Sequence, residues 1–184
     1  MLALVAAADA MTKAADVRVR GRQAIGAGWI TTTVEGDVAA VQTALQVGER
    51  EAAAHGELIM SEMIARPEPA PLAAMPHTAP GAVQVPHGAG QAIGMLETTG
   101  LVALVAGADA MVKAAPVEIT GWSFIGGGLS HVAIIGDVAA VRGAVASGVA
   151  AAAAAGSVVA NLVLPNPSKQ TGLFIPRGPG GSPK

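Results

Sequence analysis

The chain has 184 residues, 52% apolar and 13% charged, with 24 glycines and 12 prolines against two Phe, two Trp and no Tyr. Such a chain can fill one or two small cores, built from small aliphatic side chains rather than aromatic rings. A formal net charge of −2 excludes the clustered basic footprint of a nucleic-acid binder, and the absence of cysteine excludes disulfides, thiolate metal sites and cysteine nucleophiles.

Met1–Ala8 has no basic segment and runs straight into Asp9, so no signal peptide is expected. The mean hydropathy is +0.52, yet the most apolar stretch, 143–164, is broken at Gly156-Ser157. It reads as a buried alanine helix followed by a strand, and no membrane span is expected.

Leu4-Val-Ala-Ala-Ala-Asp-Ala-Met11 returns as Leu104-Val-Ala-Gly-Ala-Asp-Ala-Met111, Lys13-Ala-Ala as Lys113-Ala-Ala, and Gly36-Asp-Val-Ala-Ala-Val41 as Gly136-Asp-Val-Ala-Ala-Val141. At an offset of 100 residues about 29 of 67 positions are identical without a gap, so the chain is a tandem duplication. The expected divisions are repeat 1 over 1–67, a Pro-rich linker over 68–90, repeat 2 over 91–167 and a tail over 168–184. Prolines at 67, 69, 71, 76, 80 and 86 make the connector an extended segment without regular structure.

Repeat 2 gives the elements. Ala92–Thr98 reads as an apolar strand, and Leu101–Ala115 as a helix ended by Pro116. Val117–Phe124 alternates as a strand, Gly126–Gly128 forms a loop, and His131–Ile135 is the next strand. Asp137 is placed to cap a helix running to about Ala155, and Ser157–Leu164 is the last strand. The order βαββαβ is ferredoxin-like, which makes the expected fold class α+β with two such domains in tandem. Asp37 and Asp137 read as helix caps rather than catalytic acids. The histidines His55, His77, His87 and His131 lack a metal-ligand spacing, and no nucleophile or phosphate-loop motif occurs. No catalytic residue, metal or cofactor is expected.

Four motifs, Gly94-Met-Leu-Glu-Thr-Thr-Gly100, Ala108-Asp-Ala-Met-Val-Lys-Ala-Ala115, Ile125-Gly-Gly-Gly128 and Gly136-Asp-Val-Ala-Ala-Val141, resemble the bacterial microcompartment (BMC) shell family. The resemblance covers both repeats and implies a structural shell subunit. Fused pairs of such domains form trimers of hexagonal outline, pseudohexamers, that tile a protein organelle in the bacterial cytoplasm beside other shell proteins. The glycine-rich turn then lines a central pore, here Gly26, Ala27 and Gly28 in repeat 1 and Gly126, Gly127 and Gly128 in repeat 2. Backbone amides at turns without bulky side chains offer donors to small anionic metabolites. The plainer reading is a tight turn between strands. Trp29 replaces Leu129 beside the first turn, and its ring is expected to fill space rather than gate.

The same resemblance places Lys13 and Lys113 at the oligomer edge, and Arg66, of Arg66-Pro67, beside them in repeat 1, where repeat 2 has Asn166-Pro167. The alternative from another class is a ferredoxin-like sensor holding a small ligand at the glycine loop. It needs basic side chains near Gly126–Gly128, which repeat 2 does not offer.

Repeat 1 begins at its first helix, because position 1 aligns with Leu101. The counterpart of Ala92–Thr98 is therefore missing, and an interior strand cannot be lost without leaving backbone groups unpaired. Gly172-Leu-Phe-Ile-Pro-Arg-Gly178 resembles Gly94–Gly100 in length and in its flanking glycines. The expectation is a circular permutation in which Thr171–Ile175 completes the sheet of repeat 1, the bland alternative being a truncated start and an unstructured tail.

Overall fold

A computed structural model describes residues 1–66, 90–175 and 178–179, so the Pro-rich connector expected over 68–90 lies almost wholly outside the described residues. Repeat 1 runs α1 (Leu2–Ala14), β1 (Val17–Gly26), β2 (Trp29–Gly36) and α2 (Val38–His55). Repeat 2 runs β3 (Gln91–Thr99), α3 (Leu101–Ala114), β4 (Glu118–Gly126), β5 (Leu129–Asp137), α4 (Val138–Ala155) and β6 (Ser157–Pro165). Repeat 2 therefore has the complete βαββαβ order, and repeat 1 has its central αββα.

Strand β3 is an interior strand, between β6 and β5, of a sheet ordered β6-β3-β5-β4-β7, where β7 is the short Gly178–Pro179 strand running parallel to β4. It is buried on both faces, which explains its nearly continuous apolar sequence. Ala92 and Leu96 join α3 and α4 in one core, while Ile93 and Met95 face the core shared with repeat 1. At Gly94 a Cβ would stand 2.7 Å from Val145 and 2.8 Å from both Ile134 and Val141, so the helix layer sits directly on the strand backbone. Close approach recurs between helices, since a Cβ on Gly148 would lie 2.6 Å from Met111 and 3.0 Å from the Gly107 carbonyl. A core of small residues is dense here because backbones, not rings, fill it.

The caps follow the sequence only in part. Asp137 accepts from the N–H groups of Ala139 and Ala140 at 3.0 and 2.9 Å, whereas Asp37 stands at the same N-cap without a side-chain bond. Helix α4 is long and apolar enough to cross a membrane by composition alone, yet Val141, Ala144, Val145, Gly148 and Ala152 are buried within repeat 2.

The tail departs from expectation. Residues Lys169–Leu173 form a 3-10 helix instead of a strand completing the sheet of repeat 1, and β1–β2 remain a two-stranded sheet among the described residues. The physical reason is a cap within the turn together with burial against α1. Ser168 caps the turn by accepting from the Gln170 N–H at 3.2 Å, and Phe174 and Ile175 gain more by entering the core beneath α1 than by alternating along a sheet edge.

Candidate functional site

The two strand-connecting turns have the same backbone. Gly26, Ala27 and Gly28 have φ of +98°, +52° and +85°, and Gly126, Gly127 and Gly128 have +99°, +63° and +79°. Three successive left-handed residues are accessible to glycine and cost a residue with a Cβ, such as Ala27, about 1 kcal/mol. The turns lie against each other: a Cβ on Gly126 would be 3.7 Å from the amide nitrogens of Ala27 and Gly28, and one on Gly127 would be 3.5 Å from the Ala27 carbonyl carbon. The Gly128 carbonyl accepts from the Gly100 N–H at 2.8 Å, which ties the second turn to the β3–α3 junction.

The six turn residues are exposed or half-buried, and neither turn carries a charged side chain. Trp29, expected to pack beside the first turn, is instead 54% exposed, at the start of β2 where the strand leaves the turn. Phe124 is likewise exposed, its ring set edge-on to Trp122. Chemically, the paired turns offer backbone dipoles in a small, uncharged, aromatic-flanked rim.

The seam between the repeats is the larger feature. Leu2, Val5, Ala6 and Ala8 of α1 form one apolar cluster with Ile93, Met95, Ala133 and Leu162 on the outer face of the repeat 2 sheet. A buried polar group lies within it: Glu97 pairs with the Met1 α-amino group at 3.1 Å, cross-strand from His131, which is fully buried. Burial first, then the nearby Met1 amine and Arg22, push the His131 imidazole down to about 3 from its ordinary 6.5.

The same stripe on α3 is bare. Leu2 and Val5 are 1% and 0% exposed, whereas their counterparts Val102 and Val105 are 74% and 57% exposed, with Leu101 and Val112 also outside. One apolar helix face is therefore covered inside the chain, and its repeat is presented to solvent.

Lys13 and Lys113 each pair with a carboxylate one turn back, Asp9 and Asp109, at 2.6 Å. Their surroundings differ. Asp9 is buried because the tail covers it, accepting from the Ser168 N–H at 2.7 Å and from Thr171 Oγ1 at 2.9 Å. Gln170 acts as a surrogate strand residue, taking the Val19 N–H at 2.5 Å and donating to the Val17 carbonyl at 3.1 Å. This tail clamp was not read from sequence; its only signal is the run of hydrogen-bonding residues Ser168–Thr171 after Pro167. Arg66 is exposed at a left-handed bend, φ +53°, which Asn166 repeats at +48°. Glu35, held below the ordinary carboxylate range by hydrogen bonds from Arg18 and Arg20, makes the outer face of the β1–β2 sheet polar. Among the described residues no group of His, Asp or Glu is placed to hold a metal ion.

The chain matches the BMC domain at residues 1–67 and again at 92–167. It is 36% identical over 169 residues to the carboxysome assembly protein CcmO of Synechocystis sp., covering 89% of this chain and 57% of that protein. The match to CcmO of Synechococcus elongatus covers 61% of that protein, so the chain spans less than two thirds of the length of these relatives. The bacterial microcompartment shell protein PduA of Citrobacter freundii is 46% identical over 88 residues, 48% of this chain and 95% of that protein. EutM of Escherichia coli is 47% identical over 88 residues, 48% of this chain and 91% of its own. A crystal structure of a microcompartment protein from Desulfitobacterium hafniense DCB is 31% identical over 91% of this chain and 90% of that one, with a TM-score of 0.40. The chain belongs to the BMC-domain family and carries that domain twice.

Proposed function

We propose that the chain is a structural subunit of a bacterial microcompartment shell, in which three copies close into a pseudohexameric ring around a pore rimmed by Gly26–Gly28 and Gly126–Gly128. The observation that carries this reading is the contrast between the two helix faces. Inside the chain, α1 of repeat 1 lies on the outer sheet face of repeat 2, a head-to-tail contact between similar units. The equivalent face of α3, Val102, Val105 and Val112, has no cover among the described residues. A head-to-tail contact repeated between copies either closes into a ring or runs on as a filament. Six domains in a hexagonal outline close it at three chains, and the side-by-side turns then gather around the axis.

In this reading the work is mechanical and selective rather than catalytic. The uncharged rim and its backbone amides favour small polar or anionic metabolites over bulky ones. Lys13, Lys113 and Arg66 lie at the outer edge, where long stems pack against neighbouring shell proteins and cationic heads meet carbonyls. The subunit then resides in the shell, within the bacterial cytoplasm. Light scattering on the purified chain should return three times the chain mass, and negative-stain images at high concentration should show sheets or tubes. A monomer at concentrations where shell proteins assemble would overturn the reading.

A further inference from the structure

Two helix–strand edges related by the duplication differ in what covers them. On repeat 1 the tail lies across α1 and β1. The Asp9 carboxylate accepts from the Ser168 N–H at 2.7 Å and from Thr171 Oγ1 at 2.9 Å, and the Thr12 and Ser168 hydroxyls are 2.9 Å apart. Gln170 spans the strand edge, accepting from the Val19 N–H at 2.5 Å and donating to the Val17 carbonyl at 3.1 Å. Phe174 and Ile175 seal the contact in the core that holds Leu2 and Val5. Repeat 2 carries the same groups without cover among the described residues. Asp109 is exposed, Val112 is exposed, and Ile119 is 38% exposed where Val19 is 5%. Ile119 pairs with Ile134 as Val19 pairs with Val34, so the Ile119 N–H and the Val117 carbonyl point off the sheet edge in the same way. The tail's Gly178–Pro179 meets β4 beyond this stretch, at Gly121 and Trp122.

We infer that the α3–β4 edge of repeat 2 is a docking seat for the terminal arm of a neighbouring protein, of the pattern Ser-x-Gln-Thr followed three and four positions on by bulky apolar residues. Repeat 1 shows the required chemistry, because it holds such a segment in the equivalent place. A carboxylate, an open N–H and carbonyl on an edge strand, and exposed valines call in turn for donors, a side-chain amide and apolar anchors. The connector does not carry these groups. One hundred positions before Ser168–Thr171 stand Glu68, Pro69, Ala70 and Pro71, without a hydroxyl or side-chain amide, and Ala74 stands in the place of Phe174. The tail of a second copy is already seated on that copy's α1. A ring of three two-domain chains has six such edges and three such tails, so the arm belongs to a different shell subunit. The inference rests on the shell reading only for that neighbour's identity. Two replacements tune the seat. Val112 for Thr12 removes a hydroxyl contact, and Glu118 for Arg18, which borders Gln170, favours a cation beside the arm's glutamine, as Lys169 is in the tail.

The test uses the full chain and a synthetic peptide, acetyl-Pro-Ser-Lys-Gln-Thr-Gly-Leu-Phe-Ile-amide, the sequence of 167–175. One peptide bound per chain should slow amide hydrogen exchange at least about tenfold in residues 109–119, Ile119 above all, and leave 9–19 unchanged. A peptide with Gln170→Ala should bind at least about tenfold more weakly. The same loss is expected for a chain carrying Asp109→Leu, whose exposed position leaves the melting profile unaltered. Absence of slowing in 109–119, slowing confined to 9–19, or undiminished binding with either variant would overturn the inference. So would a 109–119 segment already protected in the free chain and released by Val105→Glu, because a second copy would then be the occupant. Light scattering without peptide reports ring formation separately, so the seat and the shell reading fail independently.

Discussion

Replacing Val105 by Glu separates assembly from folding. Val105 is 57% exposed in the single chain, while its counterpart Val5, already seated against a sheet, is 0% exposed. Full burial of a valine contributes about 1.5–3 kcal/mol, so completing the burial of Val105 contributes about 1 kcal/mol at each chain-to-chain contact. A glutamate there must shed its water on entering a contact beside Val102 and Val112, at a cost of about 3 kcal/mol, enough to weaken each contact about a hundredfold. Within the chain the substitution meets solvent, and stability should stay within about 0.5 kcal/mol. Light scattering coupled to size exclusion, with thermal melts of the same samples, should give a folded monomer with a wild-type melting profile. Val5→Glu should instead destabilise the chain itself. If the Val105→Glu protein remains trimeric at wild-type concentrations, the α3 face is not the ring contact and the head-to-tail argument is wrong.

Lys113→Ala should reduce sheet formation in stain images more than trimer formation, and Lys13→Ala should additionally lower the melting temperature, because Lys13 neutralises the buried Asp9. Deleting 169–184 removes Phe174 and Ile175 from the core and should cost about 3 kcal/mol or more in denaturant melts; an unchanged midpoint would show that the clamp does not hold. Gly148→Ala crowds Met111 and the Gly107 carbonyl and should cost about 1–3 kcal/mol. His131, faced by Glu97, Ser123, the Met1 amine and Arg22, is neutral in the fold with its pKa lowered to about 3, so its contribution is complete above about pH 6.5 and is lost as pH falls toward 3. About 2 kcal/mol should disappear between pH 7.5 and 5, and His131→Gln should flatten that slope in chemical denaturation.

Much of the fold was legible because periodicity and duplication reinforce each other. Asp137 and Pro116 fixed the ends of their helices by mechanisms that act within a few residues, a side-chain cap and a missing N–H. The six turn residues were legible for the same reason, since consecutive left-handed conformations select glycine locally. What the sequence hid depends on contacts distant in the chain. Trp29 was expected to pack because large rings usually do, but whether it packs depends on a neighbour that β2 lacks among the described residues. The tail was taken for a strand from its flanking glycines, whereas Asp9, some 159 residues away, decides its shape by accepting from Ser168 and Thr171.

Comparing each residue with its counterpart 100 positions on gives a finer test than either repeat alone, because the local sequence is held nearly constant and only the surroundings change. Asp9 and Asp109 share the same motif and the same lysine one turn on, yet one is sealed under the tail and the other stands in solvent. Val5 and Val105 differ in the same sense. The first difference comes from the tail, which covers Asp9 through Ser168 and Thr171, and the second from the repeat 2 sheet, which covers Val5. The exposure of Leu58, Ile59, Met60 and Ile64 has a separate origin, because their counterparts in β6 are ordered by pairing with β3 within repeat 2, whereas among the described residues β2 pairs only with β1.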